Sequence, residues 1–352
     1  MLLKQALKLR ILCSTLLLLP VFAGFILFAD ESQLVSVSGF TMGTSYEVQY
    51  VSPGLVQSDA FVEEEIASLL KELDRKIFTT YSPNSELSRL NQAPINSPLS
   101  LSEHLLAVLR LSKDIYELSG GAFDITVAPL VDLWGFGPEK YNSFFELPSE
   151  IALEEVLLKV GLVNLFIDDN SLQVTKASDI KFDLSGVAKG YAVDQVARLL
   201  SEFDVQSYFV EVGGEIKIKG LKPDSQEWTP AIEAPVYGSS QLYAVLRSLG
   251  DAISLAGSGD YRNYYEREGI RYSHEIDPRS GRPVTHNLAA AFVIDDSAAR
   301  ADALATAFMV LGPVESQKLI LQEEIKALLI FRSRDNEFQT FVSDGFSRYM
   351  SK

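Results

Sequence analysis

The chain has 352 residues, 47% of them hydrophobic and 22% charged, with a formal charge of −16. That length admits one large domain or two of ordinary size, and the composition carries no disorder signature. The acidic balance offers no basic stripe to a phosphate backbone, which excludes nucleic acid as the main partner; the lone cysteine, Cys13, excludes an intrachain disulfide and cysteine-based metal sites.

Residues 1–30 read as a separate object. Residues 11–29 are 19 uncharged positions, about 28 Å of helix, close to the thickness of a bilayer core. Lys4, Lys8 and Arg10 precede them and Asp30 and Glu31 follow, so the positive-inside rule puts the rest of the chain outside the cytoplasmic membrane. An uncleaved signal anchor and a cleaved signal peptide both fit; the length of the run and the lack of an A-x-A site favour the anchor. Cys13, three residues after Arg10 and near the start of the run, is badly placed for lipoprotein processing.

The body, residues 34–350, begins with strand-like runs at 34–37 and 46–51 around a Gly-containing turn. Val62, Ile66, Leu69, Leu70, Leu73 and Ile77 fall at helical spacing across 61–78. A turn-rich loop follows, with a short helix from Ser85. A second helix runs from an N-cap at Ser102 to a stop at Gly120. Residues 122–137 are aromatic, Gly-rich and irregular. Residues 151–160 read as helix, then 165–167 and 172–175 as a hairpin. Residues 181–203 read as a strand end, a Ser-Gly turn and a helix; 207–220 as two strands through a Gly-Gly turn. More strands follow, then the turn at Asp277–Pro278, a strand at 288–296, and a helix capped by Ser297. A further helix and two strands finish the chain. The pattern is α+β: one compact mixed body, with a two-lobed arrangement as the alternative.

Four stretches carry chemistry. Asp302 and Thr306 stand four residues apart in the apolar run "ARADALATAFMV", so the carboxylate and the hydroxyl share a helix face. A bare carboxylate buried there costs several kcal/mol in order of magnitude. It pairs with a neighbouring base, or it ligates a hard cation. His104, His274 and His286 are too scattered for a zinc triad, so a metal site would use oxygen ligands, as for Mg²⁺ or Ca²⁺. In "DLSGVAKGYAVDQ" a strand ends at Asp183 and turns at Ser185 and Gly186 into a helix whose free amides, with Lys189, can meet an anion. An ordinary strand–helix turn is the equal alternative, and neither a P-loop nor a G-x-G-x-x-G spacing is present. In "SGGAFDITVAPLVDLWGFG" Phe123, Trp134 and Phe136 can stack on a ligand or plug the core. In "SHEIDPRSGRPV" His274 can act as a general base, whereas Asp277 suits the turn. The stretches "FTMGTSYEV", "TTYSPNSELSRLN" and "EVGGEI" are by themselves loops and a hairpin turn.

In order along the chain, "TMGTSYEV", "YSPNSELSRLN", "GGAFDITVAPLVDLWGFG", "DLSGVAKGYAVD", "VEVGGEI", "HEIDPRSGRPV" and "ADALATAFMVLG" closely resemble one family, the FAD:protein FMN transferases, or ApbE family. The resemblance runs from about Ser38 to about Leu311 and implies an ApbE-like fold, the two-lobed version holding FAD between its lobes. It implies that FAD is split at its pyrophosphate, FMN is joined by a phosphoester to a threonine of a target protein, and AMP leaves. It puts Mg²⁺ on the Asp302 carboxylate, the Thr306 hydroxyl and the Gly186 carbonyl. FAD is expected against Met42, Tyr81, Ala122, Phe123, Asp124, Asp183, Lys189 and the main chain near Ile276, with Tyr81 and Phe123 stacking and His274 as the base. Implied targets are membrane redox subunits such as those of sodium-pumping NADH:quinone oxidoreductase and Rnf-type complexes. The implied location is the bacterial inner membrane with the body in the periplasm. The family's lipoprotein cysteine is missing here, which favours a protein anchor. The target motif Asp/Ser-Gly-Ala/Ser-Thr is also missing, so the chain is expected to donate FMN, not carry it. A Mg²⁺-dependent FAD pyrophosphatase and an anchored FAD-binding electron-transfer protein are the competing readings.

Overall fold

The computed structural model describes residues 33–52, 58–137, 147–236, 238, 241–260, 264–267, 270–333, 335 and 337–351. The chain divides into Met1–Glu31 and Ser32–Lys352; the expected membrane segment lies outside the described residues.

Strands β1 (Gln33–Thr41) and β2 (Thr44–Ser52) form a hairpin with Thr41 opposite Thr44. Its two-residue turn, Met42–Gly43, has φ of 48° and 76°, the left-handed pair that such tight hairpins require. Both strands run longer than the sequence pattern indicated. Helix α1 (Asp59–Glu72) follows and widens into a π-helical turn at Leu73–Phe78, so the single helix expected over 61–78 changes geometry partway. Then come α2 (Glu86–Gln92), β3 (Leu99–Ser100), α3 (Glu103–Leu118), α4 (Ala128–Leu133) and α5 (Glu150–Leu157). The Ser85 and Ser102 side chains accept N–H bonds from Ser88 and Leu105 as N-caps. The hairpin of β4 (Leu165–Asp168) and β5 (Gln173–Lys176) precedes α6 (Ala188–Glu202), β6 (Tyr208–Val212) and β7 (Glu215–Lys219). Next are β8 (Ala231–Glu233), β9 (Leu242–Val245), β10 (Ile253–Gly259), β11 (Tyr264–Arg267), β12 (Ile270–Ser273), β13 (Ile276–Asp277) and β14 (Arg282–Pro283). The chain closes with β15 (Leu288–Asp295), α7 (Ala298–Gln322), β16 (Lys326–Arg332), β17 (Phe338–Val342) and α8 (Asp344–Ser347).

The fold is α+β, built on one antiparallel sheet of eight strands ordered β1-β2-β6-β7-β10-β15-β16-β17. One face carries α1, α6 and α7 over a core that includes Val48, Tyr50, Val210, Val293, Leu304 and Phe308. The opposite face buries Ile218, Trp228, Ile253, Ile294 and Phe346. With both faces covered, β15 reads "LAAAFVID", an apolar run and not an alternation. A third, small cluster joins Leu130, Trp134, Leu153 and Ile276. Helix α7 is long and apolar enough to cross a membrane, but its length and composition are those of a core helix: fourteen of its residues are buried, against β10, β15 and α6.

The expected helix at 299–310 and the further helix after it are two halves of α7, bent at Gly312 (φ 75°, ψ 177°) before Pro313. Pro313 has no N–H to give the Met309 carbonyl, so the helix breaks there. The His286 ring fills the bend: a Cβ on Gly312 would lie 2.6 Å from its Cδ2. His286 Nδ1 accepts the Leu288 N–H at 3.3 Å, and its buried Nε2 makes no hydrogen bond among the described residues. Burial pushes its pKa down, against the Met309 and Val310 carbonyls. A lowered folded pKa means the unfolded chain takes the proton first. The stability is therefore complete above about pH 6.5 and drains away as pH falls through the lower folded value. Thermal melts between about pH 7.5 and about pH 5.5 are expected to show a falling Tm, with part of the fall absent in His286→Asn. An equal fall in that variant would remove His286 from the explanation.

Candidate active site

Two helices build the site, and their crossing is unusually close. A Cβ on Gly190 of α6 would sit 2.3 Å from the Ala298 carbonyl oxygen and 2.8 Å from the Ala299 Cα, so only glycine lets the backbones meet. Asp194, one turn further along α6, clamps the start of α7. Its carboxylate accepts the N–H groups of Ala298 and Ala299, each at 3.0 Å, and the Ser297 hydroxyl at 2.8 Å. Lys217 Nζ adds a fourth bond at 2.7 Å. An anion at a helix N-terminus satisfies orphan amides and complements the helix dipole. Ser297 in turn caps α7 by accepting the Arg300 N–H. This framework fixes the rotation of α7 and therefore the direction of its polar face.

On that face Asp302 is only 3% exposed. Its Oδ2 accepts the Gly190 N–H at 3.1 Å and lies 4.0 Å from Lys189 Nζ. Its Oδ1 has no hydrogen bond among the described residues. Lys189 Nζ is 3.1 Å from Glu215 Oε1 and donates to the Ser185 carbonyl at 3.4 Å. Two buried carboxylates thus share one ammonium. Burial raises the pKa of Asp302, opposed by Lys189 and the Gly190 N–H. Burial also raises that of Glu215, and the nearby Asp302 charge adds to the rise. Burial disfavours the charged form of Lys189, but Asp302 and Glu215 outweigh it and hold the ammonium protonated.

Thr306 lies one turn along α7, and the 183–189 turn packs directly on it. A Cβ on Gly186 would be 2.9 Å from Thr306 Oγ1 and 3.3 Å from Phe123 Cε2. The glycine is therefore required by close approach. Asp302, Thr306 and Gly186 converge although 116 residues separate the first from the last (302 and 186). No group of three or more His, Cys, Asp or Glu side chains among the described residues could hold a metal alone. A cation here would draw on one carboxylate, a hydroxyl, a backbone carbonyl and the oxygens of water or a ligand. That donor set suits Mg²⁺, which prefers oxygen and commonly keeps water and ligand phosphate in its shell. The Thr306 hydroxyl, without a hydrogen-bond partner among the described residues, fits the same reading.

The other expected site residues divide. Lys189 reaches the hairpin turn of β6 and β7, since a Cβ on Gly213 would lie 3.0 Å from Lys189 Cδ and 2.7 Å from Thr44 Cγ2. This brings the Met42 turn of β1–β2 to the same neighbourhood. Asp183 bonds its N–H to the Ile125 carbonyl at 2.7 Å, which ties the 122–127 segment to the turn. Ile276 pairs with Pro283 in β13–β14, and β13 packs against α7. His274 stands just before it, Nε2 3.5 Å from Glu275 Oε1 and edge-on to Phe136 at 6.3 Å. Trp134 Nε1 donates to the Gly281 carbonyl at 2.7 Å and binds the aromatic segment to the Asp277 turn. Tyr81, by contrast, is 80% exposed, and no hydrogen bond, ion pair or ring contact among the described residues ties it to the Asp302 cluster.

Three expectations change in detail. Most helix-start amides are taken: Ser185 N–H bonds Asp183 Oδ1, Val187 and Ala188 N–H bond the Leu184 carbonyl, and Gly190 N–H bonds Asp302, whereas the Gly186 and Lys189 N–H groups have no partner among the described residues. Lys189 supplies a positive charge at this turn. Phe123 is buried with Ala122, packed on Gly186, so its ring is a wall of the turn and not an open stacking face. The Asp124 carboxylate is consumed internally by the Thr126 N–H and hydroxyl and the Leu162 N–H. Only the main chain of Ala122 and Asp124 is left to meet a ligand. Sequence reasoning missed Glu215, Gly190 and Asp194. Glu215 shares strand parity with Lys217 and Lys219, which reads as a solvent face, and the other two look like ordinary helix positions.

The ApbE family model matches residues 42–329. The chain is 38% identical over 322 residues to an FAD:protein FMN transferase of Vibrio cholerae, covering 91% of this chain and 94% of that one. It is 36% identical over 321 residues to an FAD:protein FMN transferase of Haemophilus influenzae, covering 90% and 92%. Among solved structures, the flavin transferase ApbE of Vibrio cholerae is similar at a TM-score of 0.81 and 36% identity over 90% of this chain and 99% of that one. The apo flavinyl transferase ApbE of Pseudomonas stutzeri is similar at 0.82 and 36% over 91% and 98%.

Proposed function

This chain belongs to the ApbE family, and from that membership we propose that the Asp302–Thr306 face is where FAD is cleaved and its FMN half passed to a protein. The chain is an FAD:protein FMN transferase. The observation that carries the site assignment is the meeting of Asp302, Thr306 and Gly186 beside Lys189.

In the proposed reaction a threonine hydroxyl attacks the phosphorus of the FMN half. One P–O bond forms to the threonine oxygen, the anhydride P–O bond breaks, and AMP carries away the bonding electrons. A Mg²⁺ held by the Asp302 carboxylate, the Thr306 hydroxyl and the Gly186 carbonyl would supply Lewis acidity to the phosphate oxygens. Lys189 adds a fixed positive charge within reach of the same oxygens, in a site whose burial strengthens it. Gly186 keeps the turn close enough to Thr306 for both to face one point. The His274 ring, partly exposed beside β13, is placed to hold the proton that the threonine hydroxyl gives up. Met42, Tyr81, Asp183 and the main chains of Ala122, Phe123, Asp124 and Ile276 line the surrounding FAD surface in this reading. Its targets are membrane redox subunits, such as those of sodium-pumping NADH:quinone oxidoreductase and Rnf-type complexes. The body works on the periplasmic side of the inner membrane, held there by residues 1–30; the uncharged run at 11–29 and its flanking charges support that placement.

The test is incubation of the purified protein with FAD, Mg²⁺ and a threonine-bearing target peptide. The expected result is a mass gain of one FMN per peptide with AMP released in equal amount. Free FMN with no gain on any threonine peptide would make the protein a hydrolase of FAD and overturn the transfer reading.

A further inference from the structure

We propose that Glu215 is a positioning residue whose work is to hold the Lys189 ammonium off Asp302, so that the Asp302 carboxylate stays open to a divalent cation. The inference rests on the assignment of Asp302 as a cation ligand made above. Glu215 opens β7 directly after the Gly213–Gly214 turn, and its side chain is 4% exposed. Lys189 Nζ lies 3.1 Å from Glu215 Oε1 and 4.0 Å from Asp302 Oδ2. The lysine stem runs along the Gly213 turn, where an added Cβ would lie 3.0 Å from its Cδ. The ammonium lies within reach of both carboxylates and of the Ser185 carbonyl.

Glu215 is not arranged for stability alone. Its Oε2 is buried with no hydrogen-bond partner among the described residues, and an unsatisfied buried oxygen is costly. A lysine needing only a partner could take Asp302, which lies about one ångström beyond contact distance for a charge-assisted bond. That direct pair would add the ammonium to Oδ2 beside the Gly190 N–H and set a full positive charge against the carboxylate the cation needs. Glu215 draws the ammonium to the opposite side, leaving positive charge near the phosphates without closing the cation's ligand.

The experiment measures Mn²⁺ binding to the purified full chain without FAD, by electron paramagnetic resonance of the free ion, with melting curves as a check of folding. Glu215→Gln is expected to weaken binding about tenfold or more in the natural background and less than about threefold in a Lys189→Met background. The same fold-change in both backgrounds would mean that Glu215 acts through its charge alone and would overturn the proposal. So would unchanged binding in Glu215→Gln when Asp302→Ala abolishes it. Unchanged binding in Asp302→Ala is a distinct result, which overturns the cation-ligand assignment itself. Should Glu215→Gln fail to fold, Glu215→Asp keeps the charge but lengthens the gap to Lys189. It is expected to weaken Mn²⁺ binding in the natural background and not in Lys189→Met; equal effects there again sink the idea.

Discussion

Asp302→Asn is expected to lower FMN transfer by about a hundredfold or more at saturating FAD, with no loss of stability. Asparagine keeps the size of the side chain and can still accept the Gly190 N–H through its carbonyl oxygen. What disappears is the negative charge. In the folded protein that charge is a burden, since burial pushes the carboxyl pKa up. Lys189 remains paired with Glu215 after the change, so no buried ammonium is stranded. Removing a buried charge whose partner is otherwise satisfied is neutral or stabilising. The variant should therefore melt at or above the natural temperature while losing the reaction. A structural aspartate would give the reverse, a lower Tm with activity kept per folded molecule. The measurement is AMP release over a Mg²⁺ titration, beside a thermal melt; a loss below about tenfold at high Mg²⁺ would remove Asp302 from the reacting centre.

Gly190→Ala is expected to cost roughly 2–4 kcal/mol of stability, against the gain of about 1 kcal/mol that alanine gives over glycine in an ordinary helix interior. The reason is the backbone. The added methyl would meet the Ala298 carbonyl oxygen at 2.3 Å and its carbon at 2.6 Å, and neither can rotate away as a side chain can. Relief requires α6 and α7 to separate, which loosens the Asp194 bonds to Ala298 and Ala299 and the Gly190 bond to Asp302. Chemical denaturation gives the stability change directly. Separation would also draw the Gly186 turn away from Thr306, so the residual folded protein should bind Mn²⁺ less well. A variant as stable as the parent would show that the crossing tolerates a larger gap.

The legible parts of the molecule were those whose causes lie within a few residues. Ser85, Ser102 and Ser297 cap helices by bonding N–H groups three positions on, and the Asp277 turn closes on Ser280 and Gly281. Helix α1 was visible because Val62, Ile66 and Leu70 bury one stripe. Its change to a wider turn at Leu73 was not, since that depends on what Ile77 and Phe78 pack against. Asp302 and Thr306 could be paired from spacing alone, because four residues on a helix share a face whatever surrounds them. Of the free amides expected after Asp183, those of Gly186 and Lys189 are without a partner among the described residues, and the others are taken. A tight turn satisfies many of its own N–H groups, and Asp183 and Leu184 do so here for Ser185, Val187 and Ala188.

By itself, then, the sequence determined the caps, the turns, the apolar periods and a motif order that marks the ApbE family, because each follows from local backbone chemistry or from linear arrangement. Tertiary structure alone decided that Gly186 touches Thr306, that Gly190 lets α6 meet α7, that Asp194 aims α7, and that Glu215 faces inward to share Lys189 with Asp302. Those contacts join residues far apart in the chain, and whether a charge lies in water or beside another buried charge is fixed only when the elements pack. The polar residues of the 299–310 helix run could be named from the sequence, but the partners that make their burial tolerable come from α6 and β7.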